Sequence, residues 1–299
     1  MTLDSTFPIL RPVGHLEERY ELGAELGSGG AGTVYAARDT RLGIDVAVKI
    51  MNADHVSEPS MIARFQREAA ITARILSVHV VRVLGLAVTR AGVPCIIYER
   101  LVGETLAERM GREGGVALDV LVDIVTQVSR ALARVHALGI VHCDLKPENL
   151  FLDTQLGDRF TVKVLDFGVA ETSDDRSLPM TEYGGTPEYM APELLLAGKR
   201  RDARADLFAL GVLAFECLTG RMPFPGEDLR EVRKALAGRT DASLARHRPD
   251  LAGAVDDWME KSLHPDPFWR YSNAKDMATE LRLAHAERFR VRTALRRAA

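Results

Sequence analysis

The sequence predicts an α+β chain of two lobes, a strand-rich part followed by a helical part, with the change near residues 102–103. Two stretches carry this reading. Residues 20–51, YELGAELGSGGAGTVYAARDTRLGIDVAVKIM, break into short runs at Gly and Asp turns, with Val34 and Ala36 on one pleat face and VAVKI as a β-branched run. From about residue 116 the period becomes helical. In VALDVLVDIVTQVSRALARVHALG, positions 121, 124, 125, 128, 132 and 135 line one face, and Gly139 stands where a C′ glycine belongs.

Taken in order, residues 1–18 contain prolines, lack periodicity and read as an N-terminal tail. The strand-rich lobe spans 19–102. It holds one helix at 61–76, striped at 62, 65, 69, 75 and 76, and further strands at 80–88 and 93–101. The helical lobe spans 103–286, with short strands around 149–166 and helices at 189–197, 206–219, 227–237, 252–262 and 273–286. Residues 287–299 form a basic tail, read as a solvated helix end. No internal repeat is visible.

Composition narrows the function classes. With 299 residues a sizeable core is easily buried, and 46% hydrophobic with 27% charged residues is ordinary for a globular chain. A net charge of −3 gives no general attraction to nucleic acid or anionic membrane. Cys95, Cys143 and Cys217 stand far apart, which argues against a disulfide framework and a cysteine zinc site and predicts a reducing, cytoplasmic location. The N-terminus lacks a signal-peptide core, and the most apolar stretch, LFALGVLAFECL, contains Glu216 and suits a buried helix better than a membrane span. Arginine outnumbers lysine 32 to 7, a bias expected of a GC-rich genome.

GSGGAG at 27–32 fits a dinucleotide-binding glycine turn, which must open a helix, or a glycine hairpin lying over phosphates. The strand-like TVYAA that follows favours the hairpin, whose backbone N–H groups reach a ligand without side chains in the way. Lys49, inside VAVKI, is either a snorkelling lysine or a buried phosphate ligand. Glu68 is either its carboxylate partner or a surface partner of Arg64 one turn earlier. In IVHCDLKPENL, His142 and Cys143 are adjacent, so in an extended segment they project to opposite faces and make a poor catalytic dyad. Asp144, Lys146 and Asn149 form a better chemical group: a proton acceptor, a cation for a phosphoryl oxygen and an amide oxygen for a divalent cation. Asp166, released from an apolar strand by Gly168, is a second candidate metal ligand.

In this order and spacing, LGSGGAGTVYAA, VAVK, HCDLKPEN, DFG, GTPEYMAPE and DLFALG resemble a eukaryotic-type (Hanks-type) serine/threonine protein kinase of bacterial kind over residues 19–286. The resemblance implies that Gly27, Gly29 and Gly32 cover the phosphates of ATP, and that Lys49 contacts them and pairs with Glu68. Asp144 is implied as catalytic base and Lys146 as the group stabilising the transferring phosphoryl, while Asn149 and Asp166 hold Mg²⁺, with Mn²⁺ as a substitute. Tyr98 is implied as gatekeeper. The Glu99 carbonyl and Leu101 amide bind the adenine, and Val34, Ala47 and Phe151 sandwich its ring. Glu193 is expected to pair with Arg270 and Asp206 to anchor the catalytic loop. The implied partners are ATP, protein substrates and the chain itself, with Thr172, Ser173, Ser177, Thr181 and Thr186 as candidate autophosphorylation sites. No nucleic acid or membrane span is expected, and the oligomeric state has no sequence signal.

Two positions depart from the family. Cys143 stands where an arginine usually pairs with an activation-segment phosphate, so control by such a phosphate is expected to be weak. Thr72 replaces a large apolar residue one turn after Glu68, which implies a looser helix that swings out or relies on a partner. Two rival functions share much of the pattern. A pseudokinase acting as a nucleotide-binding scaffold would keep the fold without turnover, whereas here every phosphoryl-transfer residue is present. A small-molecule phosphotransferase would lack Lys146 and the 184–193 segment.

Overall fold

The computed structural model describes residues 12–155, 157, 159–172, 186–195, 202–238 and 242–298. The chain divides into two compact units. The first holds residues up to Gly103 together with Asp153–Phe160 and Leu165–Gly168; the second holds Glu104–Leu152, Thr161–Val164 and the chain from Val169 onward.

The first unit is a six-stranded sheet with one α-helix among its described residues. Strands β1 (Pro12–His15), β2 (Tyr20–Gly29), β3 (Gly32–Asp39), β4 (Ile44–Met51), β5 (Val83–Val88) and β6 (Pro94–Glu99) run in the order β1-β5-β6-β4-β3-β2. β-Branched runs build the middle of this sheet. Val46, Val48, Ile96 and Ile97 are fully buried, and a core of Leu16, Tyr20, Val46, Val48, Cys95 and Ile97 forms on one face. Helix α1 (Pro59–Arg74) starts with proline at its first turn, where no backbone donor is needed, and buries Phe65, Glu68, Ala69, Ile71 and Thr72.

The second unit begins with β7 (Gly103–Thr105) and the short helix α2 (Leu106–Glu113), closed at its start by a capping box between Thr105 and Glu108. Helix α3 (Leu118–Ala137) follows, with β8 (Ile140–Val141), β9 (Leu150–Asp153), β10 (Thr161–Val164) and β11 (Glu171–Thr172) after it. Then come α4 (Arg204–Thr219), α5 (Leu229–Gly238), α6 (Leu244–His247), α7 (Ala254–Ser262) and α8 (Ala274–Ala298). Gly139 follows α3 at φ 70°, the left-handed turn a helix end needs. Helix α4 is buried almost all round, with only Glu216 half-exposed between Ala205 and Leu218, so its apolar residues follow no single stripe.

Three sequence expectations need correction. Residues 12–18 are not a tail: β1 pairs in parallel with β5, and Leu16 in the following 3₁₀ turn is fully buried. The helix expected at 61–76 stops at Arg74, leaving Leu76 strongly exposed. No α-helix forms among the described residues of 189–197. Pro187 starts a 3₁₀ turn over Pro187–Tyr189, and Pro192 removes a second backbone donor nearby. The basic stretch from 287 is a helix end, as expected, and continues α8 to Ala298.

Candidate active site

In the first unit, β2 and β3 join through Gly30 and Ala31. The three glycines singled out there differ physically. A Cβ on Gly27 or Gly29 would meet nothing, whereas one on Gly32 would collide with the Ile50 carbonyl. The loop tip is tethered: Asn52 Nδ2 donates to the carbonyls of Gly29 and Gly30, each at 3.0 Å, and His55 Nε2 lies 3.0 Å from the Gly30 carbonyl.

Register then sets one face of the sheet. Val34 stands opposite Lys49, and Ala47 opposite Tyr98, so Val34, Ala47, Lys49 and Tyr98 share it. Lys49 Nζ donates to both Glu68 oxygens, at 2.7 and 2.8 Å, with both residues buried. The Tyr98 hydroxyl donates to Glu68 Oε1 at 2.7 Å. Burial raises the Glu68 carboxyl against the opposing pull of Lys49. For Lys49, burial works downward but Glu68 and Asp166 outweigh it, so the ammonium is held above its ordinary value. Burial and the Glu68 charge hold the Tyr98 phenol well above its ordinary range, so it stays protonated and can donate.

Arg64 Nε donates to the Gly168 carbonyl at 2.9 Å. Asp166 adopts φ 51° and accepts the Gly168 amide at 2.8 Å. The structure therefore gathers Lys49, Glu68 and the Asp166–Gly168 turn within this unit. Lys49 and Glu68 are joined, so helix α1 stands swung in, where Thr72 implied a looser helix. Thr72 instead caps its own helix turn, donating to the Glu68 carbonyl at 2.7 Å, while Tyr98 and Arg64 hold the helix at two other points.

The segment after β6 is fixed by its own neighbours. Val102 N donates to Asp153 Oδ1 at 3.1 Å, Thr154 N to the Val102 carbonyl at 2.7 Å, and Gln155 Nε2 to the Arg100 carbonyl at 2.6 Å. Glu99 sits at the end of β6 with its side chain accepting from Arg82 N, and Leu101 is buried.

In the second unit, β8 leads into a loop whose backbone is anchored from helix α4. Asp206 Oδ2 accepts the His142 amide and Oδ1 the Cys143 amide, each at 2.9 Å, while His136 Nε2 lies 2.7 Å from Oδ2. Burial alone would raise the Asp206 carboxyl, but hydrogen bonds and charge from His136, with help from His142 and the loop amides, hold it below its ordinary value. Cys143 takes φ 67°, a conformation side chains rarely adopt. Its amide is held by Asp206 and its sulfur lies 3.5 Å from the Val141 carbonyl.

Next on the loop, Asp144 is surrounded by donors. Asn149 Nδ2 donates to the Asp144 carbonyl at 2.8 Å and to Oδ2 at 3.1 Å, and Lys146 Nζ lies 3.1 Å from Oδ2. Lys146 Nζ also donates to Thr186 Oγ1 at 2.8 Å, and the Thr186 amide donates to Asp144 Oδ1 at 3.2 Å. Thr186, one of the candidate autophosphorylation sites, has its hydroxyl bonded to Lys146 in this cluster. Ser173, Ser177 and Thr181 lie outside the described residues, as does the Thr172 side chain. Phe151 sits half-buried in β9. Arg270 donates to both Glu193 oxygens at 2.7 Å, the expected buried pair.

The donor chemistry suits a hard divalent cation. Within the second unit, the Asn149 amide nitrogen is committed to Asp144, leaving its oxygen as the end that could take a metal. No cluster of three or more His, Cys, Asp or Glu that could hold a metal exists among the described residues.

Sequence reasoning missed the Tyr98 hydroxyl, the Thr186 contact, His136 and the Asn52 tether. Only Tyr98 and Thr186 had a signal, as residues of recognised motifs whose partners were not foreseen.

The family model for the protein kinase domain matches residues 20–282. The chain is 38% identical over 275 residues to serine/threonine-protein kinase Pkn1 of Myxococcus xanthus, covering 91% of this chain and 39% of that protein. It is 35% identical over 277 residues to serine/threonine-protein kinase PknB of Mycolicibacterium smegmatis, covering 91% and 44%. Against serine/threonine-protein kinase pkn3 of Myxococcus xanthus the identity is 33% over 288 residues, covering 94% and 52%. The chain thus spans about two-fifths to half the length of these curated relatives. Among the described residues no helix is long and apolar enough to cross a membrane. With a strand-rich and a helical unit, a buried lysine–glutamate pair and an aspartate–lysine–asparagine loop, this chain belongs to the protein kinase domain family.

Proposed function

We propose that this chain is a serine/threonine protein kinase that transfers the γ-phosphoryl group of ATP to protein hydroxyls, its own included. One observation carries this reading: Asp144 Oδ2 faces Lys146 and Asn149, while Oδ1 faces Thr186. A carboxylate held this way can accept the proton of an incoming hydroxyl, and the adjacent ammonium can neutralise charge on the transferring group. The names of the relatives above support the choice of substrate class.

Lys49 orients the α- and β-phosphates, and Glu68 holds Lys49 in place. Gly27 and Gly29 offer backbone amides where no side chain intervenes, and Val34, Ala47 and Phe151 take the adenine ring with the Glu99 carbonyl and Leu101 amide. Asn149 and Asp166 are the residues that would hold Mg²⁺, which when bound neutralises phosphate charge. Phosphoryl transfer asks mainly for positioning and charge, and these side chains supply both.

The test is turnover of Mg-ATP on a generic basic protein by wild type and Asp144→Asn, with mass-spectrometric mapping of modified sites. Loss of about 10²–10⁴-fold in Asp144→Asn is expected. A wild type without turnover that still binds nucleotide would move the chain to the scaffold reading.

A further inference from the structure

Glu68 is enclosed in an unusual way. Oε1 accepts from Lys49 and from Tyr98, each at 2.7 Å, and Oε2 accepts from Lys49 at 2.8 Å. Around Oε2 there is little space: a Cβ on Gly168 would approach it to 3.3 Å. The two donors differ mechanically. Lys49 carries its ammonium on a flexible four-carbon stem and can follow a carboxylate that moves. Tyr98 presents its hydroxyl on a rigid ring, rooted in strand β6 between β5 and β4. A carboxylate that stays on Tyr98 cannot drift.

The helix carrying Glu68 has reason to drift. Thr72, one turn on, is buried but small, and its hydroxyl is taken by the Glu68 carbonyl of its own helix. Among the described residues its hydroxyl bonds to no other element. A burial-only role does not account for the phenol: a fully apolar site would be filled by the ring alone, and a buried hydroxyl is tolerated where it finds an acceptor.

We propose that Tyr98 is a positioning residue for this reaction: its hydroxyl latches helix α1 to strand β6 through Glu68 Oε1 and so fixes the place of Lys49. The inference rests on the kinase reading for its catalytic consequence, but the latch itself is a property of the fold. In this role the phenol acts through Glu68.

The experiment is a double-mutant cycle with Tyr98→Phe and Glu68→Ala, read by hydrogen exchange of the α1 amides and by kcat/KM for ATP. Tyr98→Phe keeps the ring and removes the hydroxyl. It is expected to speed exchange of protected α1 amides about tenfold and to lower kcat/KM about tenfold, the weight of one hydrogen bond to a charged group. In the Glu68→Ala background the same substitution is expected to add less than about twofold to either readout, because its only acceptor is gone.

Equal effects of Tyr98→Phe in both backgrounds would overturn the proposal, since that is how a packing role behaves. So would unchanged exchange in the single variant. If the wild type showed no turnover, the kinase reading would fall, while the exchange cycle would still decide the latch.

Discussion

Lys146 donates to the hydroxyl of Thr186 at 2.8 Å across 40 residues of sequence, and the Thr186 amide reaches the carboxylate of Asp144. The threonine thereby ties the segment before Pro187 to the two side chains proposed for chemistry. Thr186→Val keeps the shape and removes the hydroxyl, so Lys146 loses an oriented acceptor. The expected outcome in steady-state kinetics is a fall in kcat of about tenfold, with KM for ATP within about twofold.

The glycines of the first loop separate by what their missing side chains make room for. Gly32 lies against the Ile50 carbonyl, so Gly32→Ala must push two strands apart and is expected to lower the melting temperature by several degrees, about 1–3 kcal/mol. Gly29 faces open space, so Gly29→Ala is expected to melt like the wild type and raise KM for ATP several-fold. Thermal melts and ATP titrations of the two variants check the contrast.

Asp206 holds the backbone of the catalytic loop from inside the helical core. Asp206→Ala leaves two amides without their acceptor and is expected to cost about 2–4 kcal/mol in a denaturant titration. Its carboxyl sits below its ordinary value in the folded chain. A depressed carboxyl contributes stability that is fully present above the unfolded pKa, near about 4, and is lost as pH falls through the folded one. The gap in melting temperature between wild type and Asp206→Asn should therefore narrow as pH drops below about 4.

Cys143 has no charge to offer a phosphate, and its amide is fixed by Asp206 regardless of what happens on the segment after Gly168. Turnover is expected to stay within about twofold after phosphatase treatment. A large fall would mean that a phosphate orders the loop through another cation.

What the sequence revealed follows from distance along the chain. Asp144, Lys146 and Asn149 fall within six residues, and the VAVKI strand and the α3 stripe announce themselves by local period. β1 was missed because four residues carry no period of their own and its partner, β5, lies some seventy residues on. The helix expected at 189–197 does not form among its described residues, since Pro187 and Pro192 each remove a backbone donor. Tyr98 and Thr186 were noticed for what their motifs imply. Their bonds to Glu68 and Asp144 span 30 and 42 residues and depend on how β6, α1 and the loop pack, which no local pattern encodes.

Because Asp206 belongs to α4, whose residues are buried nearly all round, the catalytic loop has no independent melting point. The loop cannot loosen until the innermost helix of its unit does. Heat should therefore end the proposed turnover in one step: activity and far-ultraviolet ellipticity, followed on the same ramp, are expected to fall along a single curve rather than activity failing first.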